Sequence, residues 1–406
     1  MQLVTLPSKT SASAPIIAST AFIGDRVSRA KAAYTTRRVD LGAAEQILTG
    51  EIAPKAGDLV LARVARLGQH ARIELVCGRR AYMHVGDEII VTYGARYAPD
   101  QFEAYVPGDL GPCDLVAAGG LASECKEKHA RMKNPTRIEP IGLLAYADGS
   151  VMNMAHWALP KAAVPRINPK IFAVVGTMMN AGKTTCATNL ILGLKRKGLR
   201  VGAAKITGTG SGGDRWMMTD TGVDVMLDFT DAGEPSTFGL SAARVEAIFI
   251  NLTNHLAAEG VDAIVLEIAD GLYQRETAAL LESNVFRTRC EGLLFAAGDA
   301  LGALAGVQHL EKLGHTVLAA GGAMTASPLA VREAMQVLDV PVVTSNDLST
   351  GRWFPFGETM PEETGEIVID LLQKTASSTP NEAPETVSPP PYVKWMNGGS
   401  AAQAGA

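Results

Sequence analysis

The stretch Val175-Gly176-Thr177-Met178-Met179-Asn180-Ala181-Gly182-Lys183-Thr184-Thr185 sets the reading of the whole chain. It follows the apolar run Ile171-Phe-Ala-Val-Val175 and leads into a helical pattern over 184–197. A strand, a glycine-containing loop, Gly-Lys-Thr and a helix are the parts of a phosphate cradle. Backbone N–H groups and the helix N-terminus surround the anion, Lys183 adds positive charge, and the Thr184 hydroxyl is placed to hold Mg2+. Gly176, Thr177, Asn180, Ala181, Gly182, Lys183, Thr184 and Thr185 are therefore the candidate nucleotide-binding residues. In the usual cradle the first glycine would stand at 177; here Thr177 takes that place and Gly176 precedes it.

Outward from this loop, strands alternate with helical patterns. Strands are expected at Val201–Ile206, Ala263–Ile268, Gly292–Ala297, Thr316–Ala320 and Val340–Thr344, and helices near 242–258, 301–313, 328–337 and 361–374. Nearly uninterrupted apolar strands alternating with helices mean a mainly parallel sheet flanked by helices, an α/β domain that binds ligands at the carboxyl ends of its strands. Before residue 165 the texture differs. Short apolar runs at 59–64, 72–76, 88–93 and 102–106 are separated by turn residues, which suggests a β-rich barrel or sandwich. A polar segment over 124–133 has helical character. The resulting division is a β-rich domain over 1–165, a phosphate-loop domain over 166–375, and a disordered tail over 376–406, rich in Pro, Ser, Gly and Ala.

The loop Gly-Thr-x-x-x-x-Gly-Lys-Thr resembles that of dethiobiotin synthetase and the related amide-forming synthetases of cobalamin biosynthesis. Gly202-Ala-Ala-Lys205-Ile-Thr207-Gly208 is similar to the second-strand Lys-Pro-x-x-Ser/Thr-Gly of that family, which binds substrate beside the γ-phosphate. Ile264-Val-Leu-Glu267-Ile-Ala-Asp270-Gly271 is similar to its third-strand acidic motif, whose Glu is a metal ligand. The resemblance covers about residues 170–345. Ala269 and Asp270 stand where the family has glycines, and Ile206 follows Lys205 where the family has proline.

The residues point the same way. Lys205 ends a strand on the loop's crevice, where it could neutralise a γ-phosphate, so Lys183 and Lys205 are the candidate catalytic residues. Glu267 follows an apolar strand, and a buried strand does not end in a carboxylate without a partner. The stretch Thr207-Gly-Thr-Gly-Ser-Gly-Gly213-Asp214 is glycine-rich, and Asp214, Asp220, Asp224, Asp228 and Asp231 follow in an acidic run. Mg2+ is commonly held by the loop hydroxyl, carboxylates, phosphate oxygens and water, which nominates Thr184, Asp214, Asp220 and Glu267 as metal ligands. Arg96-Tyr97-Ala-Pro-Asp100-Gln-Phe-Glu103 is a dense polar cluster without an assigned use.

The expected function is a Mg-ATP-dependent ligase, synthetase or kinase that phosphorylates a small carboxylate or carbamate. The alternatives are a nucleotide switch or cofactor-insertion NTPase, and an acyl-CoA-dependent transferase on the same scaffold. No Asn/Thr-Lys-x-Asp guanine motif stands at a strand end, which weighs against GTP in the switch reading. The amino-terminal domain is expected to supply substrate contacts or an oligomer interface, leaving a homo-oligomer open.

Composition agrees with these classes. The 406 residues include 37 Lys and Arg against 42 Asp and Glu, a net charge of −5, which argues against a nucleic-acid backbone as the main partner. Five scattered cysteines with no C-x-x-C pair read as reduced thiols in a cytoplasmic protein. No apolar run approaches the roughly 18 residues of a membrane span.

Overall fold

The structure, a computed structural model, describes residues 17–21, 24–165 and 168–355. The helix expected at 361–374 and the tail from 376 lie outside the described residues. The phosphate-loop half is built on a six-stranded sheet. Its order is Val225–Asp228, Val201–Thr207, Ala263–Ile268, Lys170–Gly176, Cys290–Ala296 and Val317–Gly321. All five neighbour pairings are parallel.

Burial on both faces explains the uninterrupted apolar strands. Ile171, Ala173 and Val175 face one core, filled by Val245, Ile248, Phe249, Leu252 and Leu256 of the helix Ala242–Ala258. Phe172 and Val174 face the other, filled by Cys186, Leu190, Ile191 and Leu194 of the helix Lys183–Arg196. Alternate side chains of each strand therefore need an apolar partner on opposite sides. The helices start where capping chemistry allows. Ser241, Asp299 and Ser327 each accept a hydrogen bond from a first-turn backbone N–H, and Pro328 opens its helix.

The amino-terminal half is a ten-stranded, mostly antiparallel sheet. Five of its strands close on themselves. Thr136–Ala145 pairs with Leu59–Arg66, that with Glu88–Tyr93, that with Leu121–Lys128, that with Cys113–Ala117, and the last returns to Thr136–Ala145. This ring is the barrel form of the two architectures anticipated. Val60, Ala62, Val64, Ile89, Val91 and Tyr93 share one core, and Leu59, Leu61 and Ile90 belong to another on the opposite face.

Two expected elements differ, and one stretch given no element carries two. Residues 124–133 are not helical; Leu121–Lys128 is a strand whose charged end, Glu124 to Lys128, pairs with Phe102–Tyr105. The Glu and Lys residues there favour a helix in isolation, but the pairing overrides propensity. Residues 340–344 form no strand, only a parallel bridge from Val342 to Ala320. The irregular stretch after Thr207 contains the helix Gly213–Thr219 and the edge strand Val225–Asp228. No helix among the described residues is long and apolar enough to cross a membrane.

Candidate functional site

The strand Lys170–Gly176 lies in the middle of its sheet, so the loop after it opens between neighbouring strand ends. Gly176 is required by close approach, since a Cβ there would sit 2.7 Å from the Ala296 carbonyl oxygen and 2.9 Å from Lys183 Cγ. Asn180 at φ 64 and Gly182 at φ 97 take left-handed conformations that curl the loop into the helix Lys183–Arg196. The first N–H groups of that helix have no intrahelical acceptor and are available to an anion. Lys183, 6% exposed, folds back and donates from Nζ to the Met178 carbonyl at 2.8 Å.

Three side chains from separate elements meet beside it. Thr184 Oγ1 lies 3.1 Å from both Asp214 Oδ1 and Glu267 Oε1. Lys205 Nζ forms an ion pair with Asp214 and lies 3.8 Å from Glu267 Oε1. Asp214 sits in the first turn of Gly213–Thr219, Lys205 near the end of its strand, and Glu267 near the end of Ala263–Ile268.

Burial shapes the electrostatics. Glu267 is 2% exposed, and desolvation, helped by the negative charge of Asp214, pushes its carboxyl up to about 7. Desolvation acts the same way on Asp214, but Lys205 outweighs it and holds that carboxyl below the usual range. For Lys205, burial opposes the charged form, yet Asp214 and Glu267 together hold its ammonium above the ordinary value. Lys183 is lowered by burial, with Glu267 and Asp270 opposing.

A divalent cation fits these residues. Glu267 Oε2 is buried and has no hydrogen-bond partner. Among the described residues no group of three or more His, Cys, Asp and Glu side chains is arranged to hold a metal alone. What the site offers is two carboxylates and a hydroxyl. An all-oxygen set that leaves positions for phosphate and water suits Mg2+.

These residues line a cavity of about 410 Å3 together with Asn180, Gly182, Thr185, Thr209, Ser211, Ala269 and Asp270. Gly176, Thr177 and Ala181 shape the loop behind it. The far wall comes from the amino-terminal sheet: Arg96, Tyr97, Ala98 and Gln101. Asn180 Nδ2 donates to Asp100 Oδ2 at 2.6 Å, which ties the phosphate loop to that wall. The 96–103 cluster was visible in the sequence as a dense polar run, but nothing local connected it to a loop some 80 residues downstream.

The acidic run divides. Only Asp214 reaches the cavity. Asp220 caps the end of the helix Gly213–Thr219 in solvent and does not line the cavity. Asp224 pairs with Lys195 at 2.7 Å. Asp228 and Asp231 are buried against Arg37, Arg38 and Arg215, with Arg37 Nη2 2.6 Å from Asp231 Oδ1. Tyr34 donates its hydroxyl to Asp228. Those two aspartates dock the sheets on each other.

No family model matches the chain, and no curated protein matches it. Solved structures do. Signal recognition particle 54 kDa protein from Aeropyrum pernix, in complex with GDP, shares 17% identity at a TM-score of 0.34 over 52% of this chain and 50% of that one. The signal recognition particle receptor FtsY from Elizabethkingia anophelis shares 16% identity at 0.30, over 45% of this chain and 59% of that one. Cell division protein FtsY from Thermotoga maritima shares 16% at 0.32, over 48% and 69%. The chain thus spans half to three-fifths of the first two. None of the three is a dethiobiotin synthetase.

Proposed function

We propose that this chain is a Mg2+-dependent phosphoryl-transfer NTPase that holds a nucleoside triphosphate between its two sheets. The observation that carries the reading is the junction of Lys183, Thr184, Asp214, Lys205 and Glu267 at the phosphate loop, with Glu267 Oε2 left without a partner. When bound, Mg2+ would neutralise developing phosphate charge. Thr184, Asp214 and Glu267 would hold it. Lys183 and Lys205 place positive charge where the transferred group gains negative charge, and the loop N–H groups orient the phosphates.

The finer reading is an ATP-dependent ligase or kinase acting on a small carboxylate or carbamate. It is favoured by the cavity's continuation beyond the loop to a polar wall from a second sheet, room that a nucleotide phosphate chain alone does not require. A nucleotide switch is favoured by another contact. Glu74, at the end of a separate two-stranded hairpin of the amino-terminal half (Arg72–Glu74 with Arg80–Tyr82), accepts from Gly212 N at 3.0 Å and Trp216 Nε1 at 2.8 Å, so the segment bearing Asp214 is tied to that half.

Calorimetry with non-hydrolysable ATP and GTP analogues tests the common core. Lys183→Ala is expected to weaken binding at least about tenfold, because a charge-assisted phosphate contact is lost. Unchanged affinity overturns the reading. Turnover that requires a small carboxylate or amine identifies the ligase or kinase; turnover raised by a protein partner identifies the switch.

A further inference from the structure

We infer that Arg96 is a binding residue for an oxyanion, carboxylate or phosphate, on the molecule that receives the phosphoryl group. The inference rests on the function proposed above and adds a second subsite to it. Arg96 comes from the amino-terminal sheet and lines the cavity that holds Lys183, Thr184, Lys205 and Glu267. It is 5% exposed. Its partners are all neutral: Nη2 donates to Gln101 Oε1 at 2.9 Å, Nη1 lies 3.2 Å from His70 Nε2, the guanidinium rests 5.9 Å from the Phe102 ring centre, and Nε has no partner. No carboxylate among the described residues lies within ion-pair distance of it.

Burying a cation without a counter-ion is costly, and among the described residues around the site it recurs only at Lys183 of the phosphate loop, whose partner is the Met178 carbonyl, while Arg37, Lys205 and Arg215 are paired. Arg37 and Arg215 meet Asp228 and Asp231, and Lys205 meets Asp214. His70 adds no charge of its own, since burial, reinforced by Arg96, brings its imidazole down to about 4. Burial also lowers the Arg96 guanidinium, to about 10, which leaves it charged at neutral pH. Asp270, in the same cavity, is itself raised by burial and is drawn on by Lys183 and Lys205 before Arg96. What remains is a fixed, planar, positively charged fork in the wall of the cavity, the geometry that binds a two-oxygen anion.

The subsite is also held at a set distance from the phosphate loop. Asp100 is bonded to Asn180, and Tyr97 packs on Phe238 with ring centres 5.5 Å apart. A ligand anchored at Arg96 therefore has its other end presented to the loop rather than to solvent.

Thermal shift of the full chain, free of nucleotide and divalent metal and at constant ionic strength, tests this with succinate and inorganic phosphate as probes. The proteins compared are the wild type, Lys183→Ala, Arg96→Gln and Arg96→Lys. At least one probe is expected to raise the melting temperature of the wild type and Lys183→Ala alike. With Lys183→Ala also in place, so that the phosphate loop does not answer for the probe, neither should act on Arg96→Gln, and binding to Arg96→Lys should be at least tenfold weaker, because the charge is kept but the fork is lost. A response to succinate alone identifies a carboxylate ligand; a response to phosphate alone identifies a phosphorylated one. Arg96→Gln without ligand should melt no lower than wild type, having shed an unpaired buried cation; if it fails to fold, Arg96→Lys decides.

The inference is overturned if neither probe stabilises the wild type or if the shift survives in the Lys183→Ala, Arg96→Gln double variant. It is also overturned if the shift vanishes in Lys183→Ala, which would assign it to the phosphate loop, or if Arg96→Gln loses tenfold in affinity for a non-hydrolysable ATP analogue, which would make Arg96 part of the nucleotide site. Unchanged nucleotide affinity in Lys183→Ala sinks the NTPase reading while leaving the Arg96 result to stand separately.

Discussion

Glu74 carries a prediction that joins stability to the site. Its carboxylate is 1% exposed and accepts from Ser211 Oγ at 3.2 Å, Gly212 N at 3.0 Å and Trp216 Nε1 at 2.8 Å. These bonds cross from the hairpin Arg72–Glu74/Arg80–Tyr82 of the amino-terminal half to the start of the helix Gly213–Thr219, and Asp214 is in its first turn. Glu74→Ala removes the common acceptor and strands a buried backbone N–H and an indole N–H. A bond to a charged acceptor is worth about 1.5–3 kcal/mol, and an orphaned buried donor costs about 1–3 kcal/mol. Trp216 is only half-buried, so water recovers part of its loss. The expected destabilisation is about 3 kcal/mol for alanine and about half of that for glutamine, which keeps an acceptor oxygen but not the charge. For a body of this size that is roughly 4 °C in melting temperature. Denaturant unfolding followed by circular dichroism and tryptophan fluorescence measures it. Because Asp214 loses its support, Mg2+-dependent nucleotide affinity should fall about tenfold, or roughly 1.4 kcal/mol. An alanine variant within about 1 kcal/mol of wild type would refute the view that this carboxylate ties the amino-terminal hairpin to the segment bearing Asp214.

Glu267 predicts a pH dependence. Its carboxyl is held up to about 7 against an ordinary 4.5, so the folded protein keeps a proton that the unfolded chain releases. The associated stability is fully present below about pH 4.5 and is lost as pH rises through 7, on the order of 3 kcal/mol at about 1.4 kcal/mol per pH unit. Glu267→Gln should lack that loss; a wild-type-to-variant difference that is equal at pH 5 and pH 8 in metal-free unfolding experiments would contradict this. Arg37→Met leaves Asp228 and Asp231 short of a counter-ion at side chains 5% and 2% exposed, and should cost about 3 kcal/mol by calorimetry, with Arg38 and Arg215 limiting the damage. Gly306→Ala places a Cβ 2.0 Å from Phe295 Cζ in the core, and overpacking should outweigh the gain in helix propensity by about 1–2 kcal/mol. A variant as stable as wild type would show that Phe295 can move.

The phosphate loop was legible because its signal is local. An apolar strand, a positive-φ glycine at 182, Gly-Lys-Thr and an amphipathic helix lie within some 25 consecutive residues, and turn chemistry and periodicity act over that range. The helices 242–258 and 328–337 were legible for the same reason, with Ser241 and Ser327 as their caps. Placement of Lys205 and Glu267 followed once a parallel sheet was inferred, since strand ends in such a sheet share one edge. Other features had no local signature. Asp214 and Asp228 look alike in an acidic run, and one became a site carboxylate while the other became an interface anchor, because Lys205 and Thr184 surround the first and Arg37 and Tyr34 the second. The 121–128 strand overrode its own helix-favouring residues through pairing with 102–105. Arg96 acquired its role from the cavity it shares with the phosphate loop, to which the nearby Asp100 is bonded at Asn180, 80 positions away, and Glu74 from Gly212, 138 positions away. Propensity and motif chemistry depend on neighbours along the chain, whereas a side chain's charge state and use depend on which distant groups burial brings against it, and that is settled only when the two sheets close on each other.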